Sequence, residues 1–359
     1  MNTKWIMIVM VLLCNAELIK AQYNDEVAGQ NRIYVTEIEE VELTDEAGNV
    51  MLDKDGEKIV EIQEVKKLAV SDVHGNADGN QFDLATDGAF KGNTIAVLNL
   101  CGVTLDQPEA SLSEKGFSMF QWKSGAPEPE ILRKELEKSC QLWVISNGHR
   151  ILTDEHVDVI EEYFHSGKGL YIWGDNAPLY ADANAITERL FNTTMNGDFY
   201  ADQVVGISGE AEGRTGIVDG HLISTGVVNM YEGITIATVK PTQDLYPLIY
   251  NSQNGLVAAV YEKNGKRCII DGGFTRLYYK WEAAGTNRYV KNAAAWLVNV
   301  ERFGDEVLLN SDAQMDVEDK ADVILKVQKD LKENTQAEMH LNFDSKRRES
   351  EVFWIKEEE

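Results

Sequence analysis

Apolar residues recur along this chain in distinct rhythms, and each rhythm predicts its own kind of element. An apolar run at 142–146 leads into the polar turn Asn147-Gly148-His149-Arg150. Residues 153–165 then carry apolar positions at helical spacing, and Gly169–Trp173 is apolar again before Gly174-Asp175-Asn176. This pattern predicts a β-α-β unit with small and polar residues at the strand exits, where open α/β sheets hold their ligands.

The surrounding sequence extends the unit. Residues 94–100 are continuously apolar, as strands buried on both faces of a parallel sheet require. A loop rich in Gly, Ser and Pro is expected next, then a helix near 130–139, announced by Pro127 and Pro129 and carrying Ile131, Leu132 and Leu136 on one face. A helix at 183–191 and strands near 233–239, 256–261 and 267–271 follow, the last two joined by a hairpin at Asn264-Gly265. A closing helix at 287–300 buries Val290, Ala294 and Leu297. The alternation predicts an α/β fold over 93–304, a three-layer sandwich with a mostly parallel central sheet.

Other rhythms flank this domain. Residues 32–70 alternate branched and charged side chains (Ile33, Val35, Ile38, Val41; Ile59, Val60, Ile62, Val65), the signature of a β-hairpin, and 71–92 is rich in Asp, Asn and Gly, a long loop or linker. Residues 22–92 thus read as a small N-terminal β element with its linker. From 305 onward lies a helical and β extension. Val323, Ile324, Val327 and Leu331 mark an amphipathic helix over 316–332, and 339–343 and 352–355 flank Lys346-Arg347-Arg348 as a terminal hairpin expected to join the N-terminal β element. An exposed edge strand there would invite a protein partner.

At the start, Lys4 precedes the apolar run 5–13, of signal-peptide length and too short to span a bilayer. Cleavage after Ala16 or Ala21 fits the small-residue rule, so 1–21 is read as a signal peptide and the protein as secreted or periplasmic. Cys14 is a poor lipoprotein cysteine because bulky Leu13 precedes it. No later segment is apolar enough for a membrane span. Asn192-Thr193-Thr194 is a glycosylation sequon that matters only in a eukaryotic secretory host.

Composition narrows the partners. The formal net charge is −26, from 60 acidic and 34 basic residues, which argues against nucleic acid and anionic membranes. Beyond the leader, Cys101, Cys140 and Cys268 have no spacing that suggests a disulfide framework or a zinc site. They read as small buried apolar residues. Asp53 and Asp55 before Gly56 lack the further ligands of a calcium loop and read as a hairpin turn. Ser71-Asp72-Val73-His74-Gly75-Asn76 resembles the opening Asp-x-His block of calcineurin-like metallophosphoesterases, whose Asp and His ligate a dinuclear metal centre. That family continues with Gly-Asp, then Asn-His, then further histidines. Here Asn147-Gly148-His149 precedes Gly174-Asp175 and the rest is missing, so neither metal nor cofactor is expected.

Over roughly 93–303 the chain resembles the class I glutamine amidotransferase-like superfamily, in non-amidotransferase branches such as the trehalose-utilisation-type proteins. The resemblance is carried by Gly167-Lys168-Gly169-Leu170-Tyr171-Ile172-Trp173-Gly174, by His221-Leu222-Ile223-Ser224-Thr225-Gly226 with Tyr231-Glu232-Gly233, and by Asp271-Gly272-Gly273-Phe274. It implies a flavodoxin-like α/β body. In the amidotransferases a nucleophilic cysteine stands on the tight turn after the third strand. Gly174-Asp175-Asn176 occupies that turn here, and no His-x-Glu pair follows late in the domain, so glutaminase chemistry is not expected. Cys101, at the exit of the first strand, is a candidate displaced nucleophile with His149 as base, though Leu100 and Val103 around it favour a core thiol.

The fold should gather Asn99, Asn147, His149, Asp175, Asn176, Asp271 and Arg276 at the strand exits. Singly, each reads as a turn or cap residue. Jointly, with Trp173, Tyr180 and Tyr278 nearby, they suggest a pocket for a small polar or carbohydrate ligand. His156 and His165 on the amphipathic helix read as surface or flank residues. The leading expectation is a non-catalytic ligand-binding or assembly module. A hydrolase of sugars or amides using Asp175 and His149, and a structural protein binding through its terminal β element, are the alternatives.

Overall fold

A computed structural model describes residues 23–209 and 215–300. The leader, the 316–332 helix and the terminal hairpin of the sequence reading therefore lie outside the described residues.

The chain opens with β1 (Tyr34–Glu42) and β2 (Val60–Leu68), paired antiparallel from Tyr34↔Leu68 to Glu42↔Val60. This two-stranded ribbon turns Ile38 and Ile62 outward, 74% and 70% exposed, on one face. Then come β3 (Thr94–Asn99), α1 (Asp106–Glu114), β4 (Ser118–Lys123), α2 (Pro129–Leu136), β5 (Gln141–Ile145), α3 (Asp154–His165), β6 (Gly169–Trp173) and α4 (Ala181–Phe191). Short strands follow: β7 (Met195–Tyr200), β8 (Val204–Val205), β9 (Gly216–Ile217), β10 (Met230–Tyr231) and β11 (Thr235–Val239). The chain closes with β12 (Tyr246–Tyr250), β13 (Leu256–Lys263), β14 (Lys266–Asp271) and α5 (Thr286–Leu297).

One eight-stranded sheet, ordered β4-β3-β5-β6-β14-β13-β12-β9, carries the architecture. Strands β4, β3, β5, β6 and β14 run parallel, and β13, β12 and β9 add on antiparallel. The strand period of two sorts the side chains into two cores. Val97, Trp143, Tyr171, Trp173 and Ile269 face α1 and α5, whereas Leu98, Val144, Ile172 and Ile270 face α2, α3 and α4. The three-layer α/β sandwich is thus as expected. At Asn264-Gly265 both residues have positive φ, 54° and 66°, the geometry that a two-residue hairpin between β13 and β14 demands.

Two stretches differ from the sequence reading. The Gly/Ser/Pro-rich loop after the first strand contains α1 and the edge strand β4, so Gly169–Trp173 is the fourth strand of the domain rather than the third. Residues 71–92 are irregular but are no spacer. Leu84, Ala85 and Phe90 enter the same core as α5, and buried Asp83 pairs with Lys115 (2.8 Å), Arg288 (2.7 Å) and Lys291 (2.7 Å). Burial pushes the Asp83 carboxyl up, but the three cations outweigh it and hold its pKa below the ordinary value.

Candidate functional site

The parallel register aligns the last residues of four neighbouring strands: Asn99 beside Ile145, Ile145 beside Trp173, and Trp173 beside Asp271. What each strand does one or two residues later determines the site. After β3, the Asn99 side chain is wholly occupied. Its Oδ1 accepts from the Gly102 and Val103 amides at 3.0 and 3.1 Å, while Nδ2 donates to the Val103 carbonyl and to Gln121. Asn99 therefore shapes the loop that presents half-buried Cys101. Asn147, after β5, likewise donates to the Leu100 carbonyl at 2.9 Å and accepts from Gly148 N. Buried Asp182, a residue the sequence reading missed, accepts from the amides of Ile151, Leu152 and Asn147 and fixes this second loop.

After β6 stands Asp175, fully buried. Its Oδ1 accepts from the Asn176 amide (2.8 Å) and Thr235 Oγ1 (3.3 Å), and its Oδ2 accepts from the amide (2.8 Å) and hydroxyl of Thr275. Asn176 adds a bond from Thr235 Oγ1 to its Oδ1 at 2.8 Å. Burial raises the carboxyl from an ordinary 3.8 to about 6 against the pull of these donors. The charge is felt nearby. Burial and then Asp175 raise the pKa of the Cys101 thiol, and the same two influences raise that of Tyr278, whose ring is 37% exposed. Asp175, Cys101 and Tyr278 thus form one electrostatic unit at the strand exits.

Beneath it lies a second, enclosed unit. The Arg276 guanidinium meets both Asp271 oxygens at 3.0 and 3.2 Å and donates to the Glu232 carbonyl at 3.1 Å, and Tyr289 donates to Asp271 at 2.9 Å. Both charged residues are fully buried. This bidentate pair braces the 274–277 turn that brings Thr275 to Asp175; it faces the core, not a ligand.

The sequence candidates therefore divide. Cys101, Asp175 and Asn176 come together, Asn99 and Asn147 shape loops, and Asp271 with Arg276 sits below. His149 is exposed, and among the described residues it makes no hydrogen bond with Asp175, so the Asp175/His149 pair is not formed. His156 is buried rather than superficial: it closes the cap of α3 with Thr153 and meets the Pro127 carbonyl at 2.6 Å. His221 is buried too, accepts from the Ile223 amide, and is kept neutral because burial lowers its pKa to about 3. Cys101, Cys140 and Cys268, the cysteines among the described residues, are free thiols.

Asp72 also finds its explanation. Its Oδ1 accepts from the amides of His74 and Asn76, the same turn that Asp45 makes with Ala47 and Asn49, Asp53 with Asp55 and Glu57, and Asn251 with Gln253 and Gly255. The Asp-x-His block is one copy of a recurrent turn. No metal-holding group of His, Cys, Asp and Glu occurs among the described residues. Thr235 and Thr275, which supply the Asp175 donors, were missed because they lie 60 and 100 residues away in sequence.

No family model and no curated protein matches the chain. Solved structures similar to it include a cytoplasmic protein of Salmonella typhimurium LT2, 8% identical over 76% of this chain and 96% of that one, with a TM-score of 0.40. They also include a GMP synthase protein of Thermoplasma acidophilum (9% identity, 60% and 98% covered, TM-score 0.39) and a ThuA-like protein of Parabacteroides merdae (10%, 58% and 90%, 0.38). At these TM-scores the resemblance transfers no residue's role.

Proposed function

We propose that this chain is an exported, non-catalytic ligand-binding or assembly module on an amidotransferase-like α/β body without a nucleophile cysteine. The observation that carries the reading is the state of the strand-exit cluster. Its one thiol, Cys101, is held protonated by burial and by Asp175, the opposite of the electropositive setting that activates a cysteine. Neither Ser146-Asn147-Gly148 after the third strand of the domain nor Gly174-Asp175-Asn176 after the fourth carries a cysteine, and no histidine bonds to Asp175 or Cys101 among the described residues. Half-exposed Tyr278 and Cys101 leave the cluster open to a small polar ligand. Export rests on Lys4, the apolar run 5–13 and the small residues Ala16 and Ala21.

The test is ammonia release from glutamine, with a thermal-shift screen of small polar ligands, on the chain from Gln22 and its Asp175→Ala variant. No ammonia and a ligand-induced stabilisation that the variant loses are expected. Ammonia release abolished by Cys101→Ser would overturn the reading. One observation favours a second reading, a hydrolase: a buried carboxyl titrating at about 6 suits a general acid. It would act without His149, and turnover of a sugar or amide lost in Asp175→Asn would establish it.

A further inference from the structure

The wall beside Asp175 carries an organised group of tyrosines. Thr235, which bonds Asp175, pairs across the β11–β7 ladder with Tyr200, whose side chain is 67% exposed. Tyr279, 41% exposed, follows Tyr278 in the chain, with its ring centroid 6.5 Å from that of Tyr231. One ion pair holds the set. Lys280 Nζ lies 2.5 Å from Asp202 and 5.3 and 5.4 Å from the ring centroids of Tyr231 and Tyr279. Asp202 in turn accepts from the Tyr231 hydroxyl at 2.7 Å and the Tyr200 hydroxyl at 3.3 Å. Both members of the pair have left-handed backbones, φ 57° for Asp202 and 50° for Lys280. Non-glycine residues enter that region at a cost, and such strain clusters where geometry serves a purpose.

We infer that Tyr200, Tyr278 and Tyr279 form a binding platform for a neutral oligosaccharide at the rim of the Asp175 cluster. Sugar rings present C–H faces that lie on aromatic rings, and their hydroxyls need donors and acceptors around those rings. The platform offers both: the Asp202 carboxylate and the Lys280 ammonium lie against the rings of Tyr200 and Tyr279. Neutrality follows from charge. The one ammonium is spent on Asp202, Asp175 stands beside Tyr278, and a chain of net charge −26 repels phosphorylated or acidic ligands. A flat protein partner would want continuous aliphatic area between the rings. Tyr200 and Tyr279 are instead tied to one another through Asp202 and Lys280, which removes rotamer entropy a flexible site would lose on binding.

This inference rests on the ligand-binding reading and names its ligand class. Isothermal titration of the chain from Gln22 with neutral cello-, malto-, manno-, xylo- and chito-hexasaccharides tests it. At least one should bind at millimolar concentration or better, and Tyr200→Ala and Tyr279→Ala should each weaken it about tenfold. Tyr200→Phe, which keeps the ring, should retain binding, and His165→Ala, beside Lys266 at the start of β14 and so at the opposite end of the strands, should match wild type. Absence of binding to every hexasaccharide, or unchanged binding in both alanine variants, overturns the platform. Analysis of sugar length after incubation separates the two readings. A bound sugar recovered shortened refutes the non-catalytic module and leaves the platform standing. Stabilisation by another ligand class with no sugar bound refutes the platform alone.

Discussion

Replacing Asp175 by alanine tests the electrostatics of the site through the pH dependence of stability. In the folded protein the carboxyl titrates at about 6 because it is buried, against 3.8 when free. Lowering the pH from 8 to 5 therefore protonates it in the folded state while the unfolded chain leaves it ionised. The folded state binds the extra proton, so this group stabilises the protein as pH falls and the benefit is lost as pH rises through 6. With a two-unit gap the gain between pH 8 and pH 5 is about 1.4 kcal/mol, approaching about 3 kcal/mol only below pH 4. Urea unfolding of wild type and Asp175→Ala at both pH values isolates this amount, because losing the Thr275 and Asn176 bonds shifts the variant equally at each pH. The wild type should gain about 1.4 kcal/mol more than the variant on acidification. An equal gain, or a larger one in the variant, would refute a desolvated carboxyl at this position.

Other outcomes follow from the same geometry. Arg276→Met leaves Asp271 buried without its cation and should cost about 3–5 kcal/mol in urea unfolding, whereas His149→Ala should be neutral. Asp175→Asn removes a charge that opposes the Cys101 thiolate, so alkylation by iodoacetamide at pH 8 should speed up; an unchanged rate would mean the two groups do not interact. Gly272→Ala should cost about 1–3 kcal/mol by thermal denaturation, because a Cβ there collides with the Ala237 carbonyl where β11 crosses the end of β14.

The central strands were legible because parallel strands buried on both faces are unbroken apolar runs, and Gly169–Trp173 has the predicted limits. Strand β4 was not. As an edge strand it is only half buried, and Gln121 and Lys123 break the apolar signal. Helix α1 was hidden for a related reason: only Pro108, Ser111 and Leu112 are buried, too few for an apolar stripe. At the site, Asp175 and Cys101 could be named from strand exits alone, yet their surroundings could not. The Thr235 and Thr275 donors arrive by tertiary contact, and His149 lies next to a strand exit in sequence while its side chain faces solvent.

The Asp83 cluster bears on the order in which the domain can form. Its cations Arg288 and Lys291 belong to α5, so a segment made early waits for partners made near the end of the described chain. Strand β6 likewise waits for β14, its parallel neighbour. A chain emerging amino end first cannot close this body until about residue 297 has appeared, so closure of the whole unit comes late in synthesis and depends on long-range contacts.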